Sequence, residues 1–330
     1  MAKICVVGAG SWGMAVAWLL DGKGHDVRMW AREPEIADAI NNTGRNPVYL
    51  PKVKFSDRIS ASSDMNSVLK GAEAVVMVTP SIGVRAIAEE MAGTLAKDIP
   101  IIILSKGLEA GTHLLMTDIL EEVLGNPERI AALSGPNHAE EVSKAVPSAT
   151  VVAANNEEIA NYFQELFSTP FFRVYTNSDL IGVELCGAGK NIIAIACGMC
   201  DGLGLGDNAK ASLMTRGLAE LVRLGEAIGA DTDTFRGLAG MGDLIVTCTS
   251  KHSRNRSLGE GIARGDTLEG YQKRTRMVVE GAVACNSIYE LAKSRGIEVP
   301  ITQLIYEILY EDLSLEQGMS RLMGRPLCSE

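Results

Sequence analysis

The chain has 330 residues, 46% of them hydrophobic and 22% charged, which is the composition of an ordinary soluble globular protein with room for two domains. A formal net charge of −10 at pH 7 argues against a nucleic-acid partner, because no basic surface would attract a phosphate backbone. The seven cysteines are odd in number and scattered, which argues against a disulfide framework and favours a reducing cytoplasm.

The chain opens on a glycine-rich turn between an apolar strand and a helix. Residues 3–13 read KICVVGAGSWG, with Gly8, Gly10 and Gly13 in the G-x-G-x-x-G spacing. Gly8 permits the tight turn, Gly10 has no Cβ to hold a pyrophosphate away from the backbone, and Gly13 lets the helix pack on the strand. The positive N-terminus of that helix would face the phosphates. A second strand at 26–30 completes the expected spacing, so the turn predicts binding of NAD or NADP.

The end of the second strand bears on the choice between these cofactors. An acidic residue there would bind the ribose hydroxyls of NAD, whereas an arginine favours the 2′-phosphate of NADP. The chain has Arg32 followed by Glu33. Arg32 favours NADP, and the acidic Glu33 weakens that preference, so we expect the protein to use both cofactors.

The first half of the chain alternates strands and helices. Short apolar runs predict further strands at residues 72–78, 101–104, 131–133, 150–153 and 171–175. Helical patterns lie at residues 33–42, 81–96, 112–124, 137–145 and 156–167. Continuous apolar runs are typical of strands buried on both faces of a parallel sheet.

Helical periodicity alone continues after residue 178. The predicted helices are 179–200, 208–228, 232–239, 255–264, 278–294, 301–311 and 314–322. We therefore expect an α/β protein with an N-terminal Rossmann-type parallel-sheet domain over residues 1–178. An all-helical domain for substrate binding and catalysis is expected over residues 179–330.

Lys190 is the first candidate for chemistry. It lies within the most apolar stretch, residues 185–200, which we interpret as a buried core helix because it is too short to span a bilayer. An ammonium among apolar neighbours loses hydration, and this lowers its pKa toward the range of a general acid or base. A lysine that reaches solvent from the helix surface is the alternative. Cys197 and Cys200 share this stretch and are interpreted as buried core residues, because no second pair completes a metal site.

A second candidate cluster lies further along the chain. Asp243 follows a glycine-rich segment and could hold the lysine or a substrate hydroxyl. Ser253, Arg254 and Asn255 stand where a helix is expected to begin, and a guanidinium, hydroxyl and amide beside free N–H groups suit a phosphate. A solvated basic loop with a helix cap is the alternative.

Two strand ends add polar groups at the carboxyl edge of the sheet. Lys106 follows one strand, and Gly135, Pro136 and Asn137 follow the next. Each segment could also be only a turn. Neither His138 nor His252 has a recognisable partner in the sequence, so both rank below Lys190 as acid–base groups.

Taken in this order, the segments resemble NAD(P)-dependent glycerol-3-phosphate dehydrogenase of the bacterial type over nearly the full length. The matching pieces are GAGSWG at 8–13, WAR at 30–32, SKGLE at 105–109, SGP at 134–136, GAGKN at 187–191, AGMGDL at 239–244, SRNR at 253–256, VVEG at 278–281 and VPIT at 299–302. Where the family has Ser/Thr-Phe-Ala after the glycine and proline, this chain has Asn137-His138-Ala139, which preserves a polar substrate contact and alters the packing.

The resemblance implies reversible reduction of glycerone phosphate to sn-glycerol 3-phosphate, the backbone of phospholipids, by NADPH or NADH. It implies that Lys190 exchanges the proton with the substrate. The other implied substrate contacts are Lys106, Gly135, Asn137, Asp243, Ser253, Arg254 and Asn255. The implied cofactor contacts are Gly8, Gly10, Ser11, Trp12, Gly13, Arg32, Lys106, Ala139, Arg254, Val278 and Glu280. We expect no metal, no nucleic acid and no membrane insertion, and we expect a cytoplasmic homodimer.

Two alternatives compete with this interpretation. A related two-domain dehydrogenase acting on a β-hydroxyacid or 6-phosphogluconate would share the N-terminal architecture and a helical domain with a lysine. The SRN and AGMGD segments count against it. A non-catalytic sensor of NAD(P)H would have no need for an ammonium buried in an apolar helix, so Lys190 counts against that one.

Overall fold

The computed structural model describes residues 1–275 and 278–327. The chain divides into two compact units. The first comprises Met1–Lys106 and Leu114–Glu184, and the second comprises Gly107–His113 and Leu185–Glu330. The division thus falls a few residues later than the expected boundary at 178, inside a helix that begins at Leu180.

The first unit is built on an eight-stranded sheet. Its strands are β1 (Lys3–Val7), β2 (Asp26–Trp30), β3 (Ile59–Ser62), β4 (Ala74–Met77), β5 (Ile101–Ile103), β6 (Ile130–Ser134), β7 (Ser148–Ala154) and β8 (Phe172–Asn177). They lie in the order β3-β2-β1-β4-β5-β6-β7-β8. The order reverses between β1 and β4, and ligands of open α/β sheets bind at the carboxyl ends of the strands at such a point.

The expected parallel sheet is confirmed for every neighbouring pair except one. Strands β6 and β7 run antiparallel. Their connection, residues 135–147, holds only the four-residue helix Ala139–Val142, which is shorter than the helix that usually forms a parallel crossover. The sequence pattern also missed β3, whose residues ISAS carry little apolar signal.

Seven helices of the first unit pack around this sheet. They are α1 (Ser11–Gly22), α2 (Pro34–Thr43), α3 (Met65–Leu69), α4 (Val84–Ala92), α5 (Met116–Leu124), α6 (Ala139–Val142) and α7 (Glu157–Phe167). The core joins fully buried strand residues such as Val6 and Val76 to helix residues such as Met14 and Phe163. Strands β1 and β4 are therefore apolar at almost every position, because both of their faces are covered.

The described residues of the second unit form helices and the segments that connect them. The helices are α8 (Leu180–Leu203), which starts in the first unit, then α9 (Asp207–Ile228), α10 (Asp243–Thr249), α11 (Arg254–Ala263), α12 (Leu268–Thr275), α13 (Glu280–Ser294), α14 (Pro300–Tyr310) and α15 (Leu315–Met323). The helix expected at 232–239 is instead a 3₁₀ segment, Thr232–Arg236, followed by a π turn, Leu238–Gly242. Neither α10 nor α12 was predicted from the sequence.

Helix α8, with 24 residues, is the longest helix that the structure describes. By length and composition it could cross a membrane, but 94% of its most apolar window is buried inside the fold. The expectation of a buried core helix is therefore confirmed. Its glycines allow close packing: a Cβ at Gly198 would lie 1.9 Å from the Arg256 carbonyl oxygen of α11.

Candidate active site

The glycine-rich turn joins β1 to α1 at the carboxyl end of β1. Gly8 has φ of +126°, and a Cβ there would lie 2.6 Å from the Val78 carbonyl oxygen. A Cβ at Gly13 would lie 2.0 Å from the Gly8 carbonyl oxygen, so packing within the turn requires both glycines. Gly10 differs, because its φ of −72° suits any residue and its Cβ would meet nothing within 4 Å. The turn therefore leaves open space at the N-terminus of α1, where a pyrophosphate would approach the backbone.

Two buried polar atoms near this turn have no hydrogen-bond partner within the described chain. They are Nε1 of Trp12, in the first turn of α1, and Oγ1 of Thr79, just beyond β4. The Thr79 side chain lies against the turn, with Cγ2 3.4 Å from the Cβ position of Gly8. Buried polar groups are normally satisfied, so these two point to a polar ligand that supplies the missing partners. Together with the open space at Gly10, they fit a dinucleotide.

Arg32 lies beyond the carboxyl end of β2, where the ribose of a dinucleotide binds in this fold. Its side chain is 81% exposed, and its Nη2 lies 2.6 Å from Oε1 of Glu33. An exposed ion pair of this kind contributes little free energy, so the guanidinium remains available for a 2′-phosphate.

The structure brings together the polar groups predicted at two strand ends. Lys106 follows β5, and its Nζ lies 3.4 Å from both the Gly135 carbonyl oxygen and Oδ1 of Asn137. The Asn137 amide donates to Oγ1 of Thr150. Gly135 has φ of +154°, and a Cβ there would lie 2.8 Å from the same Thr150 oxygen. These contacts fix an ammonium and an amide at the carboxyl edge of the sheet, next to Ala139 at the start of α6.

Lys190 forms a buried ion pair in the second unit. Its Nζ lies 2.5 Å from Oδ1 of Asp243 and 2.8 Å from Oγ1 of Thr247, both on α10. The residue is 6% exposed, and Asp243 is 2% exposed. Asp243 thus holds the lysine, one of the two roles expected for it, and α10 adds this carboxylate and the Thr247 hydroxyl to the apolar neighbours on α8. The carboxylate stabilises the ammonium form, and the pair holds a proton donor at a fixed position.

The N-terminus of α11 carries the second predicted cluster. Ser253 caps the helix, its Oγ accepting from the Arg256 N–H at 3.2 Å. Arg254 is exposed at the first helical position, which suits a ligand phosphate. Asn255 is buried and lies closer to the protein interior: its amide donates to Oδ1 of Asn191, and its Oδ1 accepts from the Gly281 N–H at 2.9 Å. It ties α11 to α8 and α13.

Val278 and Glu280 lie close in sequence to Gly281, whose N–H donates to Asn255. Val278 precedes α13, and Glu280 is the first residue of that helix, directly before Gly281. Both are partly buried. Their expected contact with a cofactor stays a prediction, as do the individual ligand contacts of the other site residues.

Comparison with known proteins identifies the family. The model of the NAD-dependent glycerol-3-phosphate dehydrogenase N-terminus matches residues 3–160, and that of the C-terminus of the same family matches residues 179–320. The chain belongs to this family. A relative from Moorella thermoacetica, named glycerol-3-phosphate dehydrogenase (NAD(P)+), is 49% identical over 99% of this chain and 97% of its own length.

Further members of the glycerol-3-phosphate dehydrogenase family agree with this assignment. A relative of the same name from Corynebacterium glutamicum strain R is 44% identical over 98% of both chains. The crystal structure of glycerol-3-phosphate dehydrogenase from Coxiella burnetii superimposes with a TM-score of 0.94 at 38% identity, covering 98% of this chain and 99% of that one.

In this member of the glycerol-3-phosphate dehydrogenase family, sequence reasoning missed several polar groups near the predicted ones. Thr247 stands one helical turn after Asp243, and this signal was lost because α10 was not recognised as a helix. Asn191 was included only as the last residue of the GAGKN segment, although it binds Asn255. No role was assigned to Thr79, which directly follows the predicted strand at 72–78.

Proposed function

We propose that this protein catalyses the reversible reduction of glycerone phosphate to sn-glycerol 3-phosphate with NADPH or NADH. The observation that carries the proposal is the buried pair of Lys190 and Asp243, with Thr247 beside it. Reduction of a ketone needs a proton donor at the oxygen, and this pair holds an ammonium at a defined place in an otherwise apolar helix.

The proton step uses Lys190. When bound, the dihydronicotinamide supplies the hydride that converts the ketone carbon to an alcohol carbon. The lysine ammonium donates its proton to the ketone oxygen as negative charge grows there, and the C–OH group results. Asp243 and Thr247 hold Nζ in place and keep it charged before the transfer. In the reverse direction, the neutral amine accepts the proton from the alcohol.

The phosphate of the substrate is proposed to bind at the N-terminus of α11. Arg254 is exposed there and offers a forked guanidinium, while the helix end adds N–H groups and a favourable dipole. Ser253 and Asn255 are proposed to complete this part of the site. Lys106, Gly135 and Asn137 in the first unit are proposed as further substrate contacts.

The cofactor is proposed to bind on the first unit along the glycine-rich turn. Open space at Gly10, the unpaired Nε1 of Trp12 and the exposed guanidinium of Arg32 support this placement. The full set of proposed cofactor contacts is Gly8, Gly10, Ser11, Trp12, Gly13, Arg32, Lys106, Ala139, Arg254, Val278 and Glu280. Arg32 favours NADPH, and Glu33 weakens this preference enough that NADH is also expected to bind.

The setting proposed for this activity is glycerophospholipid synthesis in the cytoplasm. Six buried cysteines without disulfides among the described residues support a reducing compartment. We also propose a homodimer, because α15 leaves Met319 and Met323 exposed, at 45% and 83%. Sedimentation of the purified chain measures that assembly directly.

The activity is tested by following the oxidation of NADPH and of NADH by the purified protein. Three substrates are compared: glycerone phosphate, unphosphorylated dihydroxyacetone, and a 2-keto acid suited to a hydroxyacid dehydrogenase. We expect rapid oxidation with glycerone phosphate alone, and sn-glycerol 3-phosphate as the product. Turnover of the keto acid without turnover of glycerone phosphate would contradict the proposal and favour the hydroxyacid alternative.

A further inference from the structure

Asn46 is a fully buried asparagine in the loop between α2 and β3. Its Nδ2 donates to the Ala9 carbonyl oxygen at 2.9 Å, in the middle of the glycine-rich turn. Its Oδ1 accepts from the N–H groups of Val48 and Tyr49, each at 2.9 Å. The Asn46 side chain thus bonds both to the backbone of its own loop and to the backbone of the glycine-rich turn.

The bond to Ala9 fixes the direction of the next N–H. In a planar trans peptide, the C=O of one residue and the N–H of the next point in opposite directions. None of the described peptide bonds is cis. Because the Ala9 carbonyl faces Asn46, the Gly10 N–H faces away from it.

Gly10 is the residue of the turn that is open to a ligand. It caps α1, and a Cβ there would meet no protein atom within 4 Å. The Gly8 N–H, by contrast, already donates to the Trp30 carbonyl oxygen at 3.1 Å. The Gly10 N–H is therefore a donor suited to a pyrophosphate oxygen, and its orientation depends on the Ala9 peptide.

The loop that carries Asn46 is itself well anchored. The Arg45 guanidinium donates to the carbonyl oxygens of Pro51 and Lys52, and the Phe55 N–H donates to the Gly44 carbonyl oxygen. Tyr49, Leu50 and Val53 pack against the core of the first unit. Closing this loop needs only Oδ1 of Asn46, so the Nδ2 bond to the turn is a separate contact.

We propose that Asn46 is a positioning residue for the cofactor, which orients the Gly10 N–H toward the pyrophosphate by holding the Ala9 carbonyl. This inference rests on the proposed binding of NADPH or NADH at the glycine-rich turn. Asn46 does not touch the cofactor itself. Its loss therefore weakens binding of the pyrophosphate and leaves the chemistry of the bound complex unchanged.

Two substitutions separate the bond to the turn from the closure of the loop. Asn46→Asp keeps oxygens that accept from Val48 and Tyr49 but replaces the donor to Ala9 with an acceptor. Asn46→Ala removes both functions without adding charge, so it controls for repulsion between a new carboxylate and the cofactor. Asn41→Ala is the matched control, because Asn41 also donates to and accepts from one backbone residue, Ala61, in the same unit.

The measurement is calorimetric titration of each full-length variant with NADPH, ADP-ribose and adenosine. We expect both Asn46 variants to bind NADPH and ADP-ribose about 10- to 100-fold more weakly. A loss of this size corresponds to one hydrogen bond to a charged group. Adenosine, which lacks the pyrophosphate, binds all variants equally. At saturating NADPH, kcat of the Asn46 variants stays within about threefold of wild type, while KM for NADPH rises.

Three results would overturn the inference: unchanged ADP-ribose affinity in Asn46→Ala, an equal loss for adenosine, or an equal loss in Asn41→Ala. A wild-type chain that binds NADPH but does not reduce glycerone phosphate contradicts the proposed function instead. In that case the titrations still decide the role of Asn46. A wild-type chain that binds neither nicotinamide cofactor overturns both.

Discussion

Lys190 and Asp243 show why an ion pair is kept inside an apolar helix bundle. Removing a lysine ammonium and a carboxylate from water costs several kcal/mol per ion, and a buried pair recovers this only with close geometry and further hydrogen bonds. Here Nζ lies 2.5 Å from the carboxylate, and Thr247 adds a hydroxyl at 2.8 Å. Apolar side chains of similar volume would serve stability at least as well. The pair is therefore best explained by the chemistry proposed for it.

Arg254 gives a test of phosphate binding at the residue scale. In Arg254→Ala we expect KM for glycerone phosphate to rise about 10- to 100-fold, because charge-assisted hydrogen bonds to the phosphate are lost. Steady-state kinetics at saturating NADPH measure the change. Arg264→Ala is the control, since Arg264 is an exposed arginine at the other end of the same helix. An unchanged KM in the Arg254 variant would place the phosphate elsewhere, with Lys106 the next candidate.

The site residues differ in how well sequence reveals them. Lys106, Gly135 and Asn137 were predicted to share one edge because neighbouring parallel strands end on the same side, and the structure places them in contact. Asp243 lies 53 residues from Lys190 and was named only as a possible partner, because no local pattern decides between the lysine and a substrate hydroxyl. Sequence patterns leave this choice open, because the packing of helices decides the environment of a side chain.

At the scale of elements, backbone contact between α8 and α11 sets the position of the proposed phosphate site. A Cβ at Gly259 of α11 would lie 2.0 Å from the Ile195 carbonyl oxygen and 2.7 Å from the Met199 nitrogen, both on α8. Backbone atoms cannot move aside as a side chain can. The two glycines at this crossing, Gly198 and Gly259, therefore fix how closely the helix with Arg254 approaches the helix with Lys190.

Gly259→Ala tests this crossing. We expect it to lower the free energy of unfolding by about 1–3 kcal/mol, because the added methyl forces the two helices apart. We also expect KM for glycerone phosphate to rise as the N-terminus of α11 shifts. Gly22→Ala is the control, because Gly22 is helical and a Cβ there would meet nothing within 4 Å. Equal stability of the two variants in urea titrations would contradict the packing argument.

Element prediction succeeded where burial produced a simple pattern. Strands β4 and β5 are continuously apolar, and β1 is apolar after Lys3, because helices cover both of their faces. The pattern failed for β3, which is short and half polar, and for α12, whose sequence LEGYQKRT buries only Tyr271. The antiparallel pairing of β6 and β7 depends on the path of their connection, which periodicity does not encode.

At the scale of the whole molecule, buried carboxyl groups make stability depend on pH. Glu220 on α9 accepts from the N–H groups of Ile301 and Thr302 at the start of α14. Burial nevertheless raises its pKa to about 7. In the first unit, burial likewise raises the pKa of Glu184, which accepts from Thr117, to about 8. In both cases the folded state binds the proton more tightly than the unfolded state does.

The sign of the pH effect follows from these raised values. Below the ordinary glutamate pKa of 4.5, both states are protonated and Glu220 costs nothing. As pH rises from there to about 7, the folded state resists ionisation and the free energy of unfolding falls, by on the order of 3 kcal/mol for this group.

Glu220→Gln tests that contribution. The variant cannot ionise at this position, so we expect its free energy of unfolding to depend less steeply on pH between about 5 and 7 than that of wild type. The slope is the readout, because the amide also replaces one accepting oxygen and lowers stability at every pH. Glu226→Gln, an exposed change on the same helix, is expected to keep the wild-type slope. An unchanged slope in Glu220→Gln would show that Glu220 is not the responsible group.

The central claim is that Lys190 delivers the proton to the ketone oxygen, and kcat of Lys190 variants tests it most directly. We predict that Lys190→Ala lowers kcat for reduction of glycerone phosphate by about 10²–10⁴ while NADPH affinity and helical circular dichroism stay at wild-type values. Lys190→Arg keeps a positive charge beside Asp243 but recovers little activity, because a guanidinium does not release its proton near neutral pH. Small primary amines added to Lys190→Ala restore part of kcat. A folded, NADPH-binding Lys190→Ala protein with a wild-type kcat would contradict the account.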